Sequence, residues 1–380
     1  MTNFDYIIIG AGAAGLMLAD AFGKDDYFKD KSILLLDKDA KNSNNRTWCF
    51  WEKKAGHFDE ILHKEWTQIS FAGKQINKTY PIAPYSYKMI RGIDFYTTFL
   101  KRIAQYENIT FLQDEVINLE YSSNEVIITT HLQSYKAKTV FNSIYNPNEP
   151  LKQIKYPVLQ QHFIGWFIQT EQAVFDDTTA TFMDFSIPQK GNTRFMYVLP
   201  TSKKEALIEY TLFSEKLLEK QEYETAIKSY ITNNLGIENY KIIEKEHGSI
   251  PMTSYNFADK NRNALVYIGT AGGWTKASTG YTFNKTSKKV NVLIEHIKQG
   301  KQLSSFSKRD KFWFYDLLLL DILYKNNEKG QSIFEALFKN RKPQLIFKFL
   351  DEETSLWEDV KFISALSPMP FINALVRRIF

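Results

Sequence analysis

The chain offers almost no sulfur chemistry: its 380 residues include one cysteine, Cys49. A single thiol closes no intrachain disulfide, which fits a reducing cytoplasm. Between Trp48 and Phe50 it reads as a buried structural thiol rather than a nucleophile. Histidine is nearly as sparse, with six residues and no H-x-x-x-H pair, so no metal site is expected. No uncharged apolar run reaches the roughly 20 residues that span a bilayer. No basic segment precedes the first apolar run, as it would in a signal peptide. The expectation is a cytoplasmic protein whose membrane contact is at most peripheral. Neither repeats nor low-complexity tracts occur. Charge of one sign is not in excess: 48 Lys and Arg face 43 Asp and Glu, for a net charge of +5. The lysines are spread along the chain, which argues for a solvated surface and against nucleic acid as a partner.

What the chain does have is aromatic residues, 15% of it, with Phe 29 and Tyr 21. That is enough to line a large apolar pocket. The length exceeds one compact core and calls for two domains, or one with insertions. Tyr6 to Ile9 is a continuous apolar run, as in a buried parallel strand. It leads into Gly10-Ala11-Gly12-Ala13-Ala14-Gly15, then a helix pattern to about Phe22. A second strand, Ser32 to Leu36, ends on Asp37, 22 residues beyond Gly15. This order is the dinucleotide fingerprint. Gly10 makes the turn, Gly12 lets a pyrophosphate near the backbone, and Gly15 lets helix and strand pack closely. Ala14 falls in the first helical turn, where free N–H groups and the positive dipole end meet the phosphates. Asp37 can accept bonds from a ribose hydroxyl.

A second glycine cluster favours FAD over NAD. Ala264 to Ile268 reads as another buried strand, followed by Gly269-Thr270-Ala271-Gly272 and a helix from about Gly280 to His296. In hydroxylase-type flavoproteins a late strand–Gly-Asp-Ala helix start reaches the FAD phosphate and ribityl chain. Thr270 stands where the Asp is usual, and its hydroxyl can bond a ribityl hydroxyl. Arg46, set among aromatics, can cover an adenine or a phosphate, and Arg91 before the next helix pattern can face the cofactor.

Residues 107 to 145 alternate like strands, with a turn at Ser122-Ser123-Asn124. From 161 to 213 the segments Gly165–Ile168, Ala180–Phe185, Thr193–Leu199 and Ala206–Phe213 read as one antiparallel sheet. Two acids lie inside it, Asp184 and Glu209. An acid among apolar neighbours has its pKa raised by desolvation, as a proton donor near neutral pH requires; alternation alone leaves open which face either acid takes. After about residue 300 the chain turns helical. Asp310 to Tyr324 reads as a core helix lining the pocket or a membrane-facing one. The closing segment Pro368 to Phe380, apolar with Arg377 and Arg378, suits either a membrane surface or simple packing.

In order along the chain, these residues resemble the bacterial lycopene β-cyclases. After the glycine motif, Asn45-Arg46-Thr47-Trp48-Cys49-Phe50 is similar to the family's N-H-T-W-S-F. Phe182-Met183-Asp184 and Arg194 to Pro200 follow its M-D and R-F-V-Y-x-L-P. Leu207-Ile208-Glu209-Tyr210-Thr211 resembles L-I-E-D-T, Ile250 to Thr253 resembles L-P-I-T, and Gly273 to Tyr281 resembles G-x-x-H-P-x-T-G-Y. Three departures are Arg46 for His, Tyr210 for Asp and Lys276-Ala277 for His-Pro.

The resemblance implies a Rossmann-type α/β FAD-binding fold with an inserted antiparallel substrate sheet and a C-terminal helical segment. It implies FAD in the reduced form, with NAD(P)H as reductant, and lycopene or a related acyclic carotenoid as substrate at the inner face of the cell membrane. The reaction is redox-neutral. An acid protonates the terminal double bond, a six-membered ring closes on the tertiary cation, and loss of a ring proton leaves a β-ionone end. The family's essential glutamate matches Glu209, as proton donor or as stabiliser of a cation the reduced flavin has protonated. Asp184 is expected to position it, and Trp166, Phe182 and Trp274 to give the cation aromatic faces. Expected divisions are 1–150 and 259–300 for FAD, 151–258 for the substrate sheet and 301–380 for the helical segment. The competing readings are a flavin monooxygenase or epoxidase, a reductase of isoprenoid chains, and a non-catalytic pigment carrier.

Overall fold

The computed structural model describes every residue except Met1, Ser123, Asn124, Lys308 and Phe380. Its first sheet grows from β1 (Thr2–Ile9), which pairs in parallel with β2 (Ile33–Asp37) and β11 (Ser134–Asn142). The order is β8 (Ile109–Gln113), β2, β1, β11, β10 (Val126–Thr130), β9 (Val116–Tyr121), with β17 (Leu265–Tyr267) also parallel to β11. Ile8 and Leu35 pack under α1 (Ala13–Lys24), α2 (Gly92–Ile103) and α4 (Phe283–Lys298). Ile7, Ile9, Leu34 and Leu36 fill the opposite face, so these strands are apolar on both sides. Of the turn expected at 122–124, residues 123 and 124 lie outside the described residues; Ser122 donates its N–H to Glu125 O at 2.9 Å.

The second sheet runs β16 (Lys241–Thr253), β12 (Val158–Gln169), β15 (Glu205–Ser214), β14 (Thr193–Ser202), β13 (Thr179–Asp184), β5 (Gln68–Ala72), β6 (Asn77–Pro81). Two of its strands therefore come from the first hundred residues. A small third sheet, β3 (Thr47–Lys53), β7 (Tyr85–Arg91) and β4 (Lys64–Trp66), joins the two. One face of the second sheet is covered by α3 (Lys220–Asn233), where Trp166, Ile168, Ile208 and Tyr210 meet Tyr223, Ile227 and Tyr230. The other face turns to the first domain and to the C-terminal helices α5 (Lys311–Lys325), α6 (Lys329–Asn340) and α7 (Pro343–Leu350). There Phe167, Phe195, Leu207 and Phe213 pack with Phe312, Phe334 and Phe347. The chain closes with α8 (Leu356–Ile363) and α9 (Pro368–Ile379).

Candidate active site

The glycine turn is built by close approach. A Cβ on Gly15 would fall 1.8 Å from Gly10 O, so only glycine lets α1 start this near β1. Gly12 caps α1 without a side-chain bond to its first N–H groups, and nothing lies within 4 Å of where its Cβ would be. The positive end of α1 therefore opens on free space, which suits an anion. Asp37 supports the turn itself: Oδ2 accepts from Ala11 N–H at 2.6 Å, Oδ1 from Asp39 N–H at 2.8 Å, and Lys41 Nζ lies 3.0 Å away. Opposite, Gly269–Gly272 forms one 3₁₀ turn, with Gly269 pressed on Ala14. Gly269 and Thr270 face the opening, while Ala271 and Gly272 lie behind them, buried.

That opening is a cavity of about 480 Å³. It runs from Gly12 and Ala14 past Arg46 and Thr270 to Glu209 and Glu246 on the second sheet. Its polar wall is unsatisfied. The side-chain oxygens of Tyr145, Gln161, Thr279, Tyr281 and Thr286 are buried without a hydrogen-bond partner, and all five residues line the cavity. Buried polar atoms without partners are costly, and here they converge on one space. A ligand with a phosphate end, hydroxyls and a polar ring meets that demand, so the residues present fit FAD. Arg46 is exposed at the rim, and among the described residues its guanidinium bonds its neighbour's carbonyl, Asn45 O, at 3.0 Å and no other group. Arg91 points elsewhere: it pairs with Glu244 and lies 3.9 Å over the Phe167 ring.

Glu209 reaches the cavity from β15 and is 9% exposed. Burial and the nearby Glu246 carboxylate push its pKa up to about 8, against one hydroxyl bond from Thr211 Oγ1 at 2.5 Å. Glu246, on the edge strand β16, was not anticipated from the sequence. Its pKa is also raised by burial, but Thr47 Oγ1 donates to it at 2.6 Å and the Arg91 charge pulls the other way. The segment Lys241 to Glu246 lacks apolar alternation, so nothing marked it as a strand; β16 is an edge, mostly exposed outside its last residues.

Three expected residues lie elsewhere. Trp166 sits on the α3 face of the sheet with Lys245 4.9 Å above its ring, because strand alternation turns it away from Gly165. Asp184 also faces α3: it accepts from Tyr230 Oη at 2.5 Å and from Ser186 N–H at 2.8 Å. A register shift in β13 explains this, since it separates the facing of Phe182 from that of Asp184. Trp274 is buried beneath the Gly269–Gly272 turn against Phe306. Phe182 does line a space, an apolar pocket with Phe195, Phe213, Phe334 and Phe338. Tyr197, Thr279 and Tyr281 belong to the walls of both this pocket and the cavity.

Of the departures from the family pattern, Arg46 stands at the cavity rim and the other two fall off it. Tyr210 points to α3 and accepts from Arg194 Nη1 at 2.7 Å. Lys276 is buried between Asp316, at 3.0 Å, and Glu352, at 3.2 Å, tying the loop before α4 to the C-terminal helices. Cys49 does line the cavity, and burial raises its thiol pKa well above the ordinary value.

The family model described as lycopene cyclase protein matches residues 5–376. The chain is 21% identical over 396 aligned residues to the lycopene beta-cyclase of Pantoea ananas, covering 98% of this chain and 97% of that one. Among solved structures it is similar to a geranylgeranyl bacteriochlorophyll reductase-like protein of Thermoplasma acidophilum, at 12% identity, full coverage of both chains and TM-score 0.64. A flavoprotein/dehydrogenase of Cytophaga hutchinsonii matches at 12% identity, 92% of each chain and TM-score 0.63. The fold is that of FAD-dependent flavoproteins, mixed α/β with an antiparallel sheet and C-terminal helices.

Proposed function

The chain belongs to the lycopene cyclase family, and from that premise we propose that it is a lycopene β-cyclase, closing ψ ends of lycopene to β-ionone rings by way of γ-carotene to β-carotene. The observation that carries the reading is Glu209: a buried carboxyl, facing a cavity continuous with the glycine turn, whose pKa burial and the nearby Glu246 carboxylate push up to about 8. No cation offsets the burial, so the acid form is the stable one below about pH 8. Such a group can protonate an alkene, which a solvated carboxylate cannot.

Gly12, Ala14, Arg46, Gly269 and Thr270 would hold FAD, with Gly10, Gly15, Asp37, Ala271 and Gly272 shaping the two turns. When bound and reduced, with NAD(P)H as the reductant, the flavin supplies negative charge near a cationic intermediate without net electron transfer. Phe182 and the aromatic walls of the adjoining pocket exclude water and give the cation quadrupole faces. Tyr281, with its ring 4.5 Å from Trp51, divides that pocket from the polar cavity.

The substrate is a membrane lipid, and the C-terminal helices favour peripheral contact at the inner face of the cell membrane. No described helix is long and apolar enough to cross a membrane. Yet Leu356, Trp357 and Val360 of α8 and Met369, Ile372, Val376 and Ile379 of α9 are all exposed. Lys361 and Arg377 are exposed among them. Apolar side chains with interspersed cations suit an anionic bilayer surface.

The test is conversion of lycopene in liposomes by the purified protein with FAD, without oxygen, with and without a chemical reductant. The expected outcome is γ- or β-carotene at unchanged mass, only with reductant. Unchanged lycopene from protein that binds FAD contradicts the assignment. A product one oxygen atom heavier, once oxygen and NADPH are admitted, supports a monooxygenase instead.

A further inference from the structure

On the second sheet, Gly165 of β12 lies in register with two carboxylates at once, Glu209 of β15 on one side and Glu246 of β16 on the other. Both side chains enter the same cavity. The residue between them has no side chain, and none would fit freely. A Cβ on Gly165 would stand 2.8 Å from Leu207 Cδ1 and 3.1 Å from Glu246 Cγ. Leu207 and Glu246 close over Gly165 instead, and the two acids, one on each neighbouring strand, face the one cavity.

The two are unequal in their surroundings. Glu209 has one hydroxyl donor, Thr211, and no cation acts on it. Glu246 accepts from Thr47 Oγ1, and the charges of Arg91 and Arg46 favour its anion. Other groups facing the pair are Glu244 on β16, Cys49 on β3, Tyr197 on β14 and Tyr281 before α4; as anions, each of these raises the pKa of the acid it faces or is raised by it. Two carboxylates in one low-dielectric space resist double ionisation, and the better-solvated one takes the charge.

We propose that Glu209 and Glu246 hold a single proton between them across Gly165, Glu209 as the acid that starts the cyclisation and Glu246 as the base that ends it. The proposal rests on the cyclase reading. The Glu209 O–H bond breaks as a C–H bond forms at the terminal alkene. The π pair of the next alkene closes the ring on the cation. A ring C–H then breaks, its electron pair becomes the ring double bond, and its proton goes to the Glu246 carboxylate. That proton exchanges with solvent water between turnovers and Glu209 is reprotonated, so the pair is restored and atoms, charge and oxidation state balance.

The test is Glu246→Gln, beside Glu209→Gln and Gly165→Ala, read in two ways. The first is infrared titration of carboxyl protonation in the protein without substrate. The wild type is expected to keep one protonated carboxyl into the neutral range, lost in Glu209→Gln. In Glu246→Gln the Glu209 titration moves to lower pH, because the neighbouring charge is gone. The second is turnover on lycopene. Glu246→Gln is expected to lose about 10²-fold in kcat and to release rings with a displaced double bond, while binding FAD as the wild type does. Gly165→Ala is expected to show the same direction in both readouts, and keeps the pair testable should Glu246→Gln fold poorly. An unmoved Glu209 titration, or wild-type kcat and product from folded Glu246→Gln, overturns the pair. If the wild type itself leaves lycopene unchanged while the titrations behave as expected, the cyclase reading and the assigned roles fail and only the shared proton stands.

Discussion

The two faces of the second sheet are made by the same strands, and neighbouring residues serve opposite ends. On β15, Ile208 and Tyr210 close against α3, while Leu207 and Glu209 face the cavity. On the α3 face most polar groups have partners: Tyr210 meets Arg194, Asp184 meets Tyr230, and His162 bonds Ser214 and Tyr223, while Trp166 Nε1 has none among the described residues. The cavity face is the reverse, with Gln161, Tyr281 and Thr279 unpartnered and two acids whose pKa values are raised. A polar residue that has found its partners holds the sheet together. One left without partners, beside a cavity, is available to a ligand.

Substitutions on either side can break or sharpen that contrast. The largest effect belongs to the cavity face: Glu209→Gln is expected to lower kcat on lycopene by about 10²–10⁴-fold, with FAD binding and melting temperature little changed. Trp166→Ala, one strand over and facing α3, is expected to do the opposite. It should cost about 3–5 kcal/mol of stability in denaturant unfolding and leave the KM for lycopene near that of the wild type. Lys276→Met, away from both faces, strips Asp316 and Glu352 of a buried partner; a loss of about 3–5 kcal/mol is expected, read as a fall in melting temperature. Asp184→Asn is expected to cost about 1–3 kcal/mol through the Tyr230 bond, with kcat within a few-fold of the wild type.

The pH profile discriminates between the faces without mutation. Glu209 is held protonated by burial, so the active form prevails below about pH 8 and activity is expected to fall as pH rises through that value. Because its folded pKa lies above the ordinary carboxylate value, ionising it also destabilises the fold. The stability it contributes is full below its ordinary pKa of 4.5, declines as pH rises from there to about 8, and changes no further above that. Glu209→Gln should remove that slope. A profile flat through this range in the wild type would place the acid elsewhere.

Much of the scaffold was legible in the sequence. β1, the glycine turn and α1 follow from an apolar run meeting Gly10 to Gly15, because Gly10 and Gly15 answer close approaches within the chain and Gly12 leaves the helix end open. The cavity acid was not legible from pattern alone. Asp184 and Glu209 look alike in sequence, and only the register shift in β13 and the parity of β15 separate them. Resemblance to the family's motif singled out Glu209. Trp166 and Trp274 looked like pocket aromatics because composition does not reveal facing. Glu246 was missed since β16 is an edge strand without an apolar alternation to announce it. The strands β5 and β6, far from the rest of their sheet in sequence, depend on pairing that no local signal carries.

The most direct test of the central claim, acid-initiated and redox-neutral ring closure on the Glu209 face, is anaerobic conversion of lycopene in heavy water with reduced FAD. The account predicts one deuterium per ring closed and no other change of mass, abolished in Glu209→Gln and retained in Asp184→Asn. A product carrying two added hydrogens per event, or rings formed undiminished by Glu209→Gln, would contradict it.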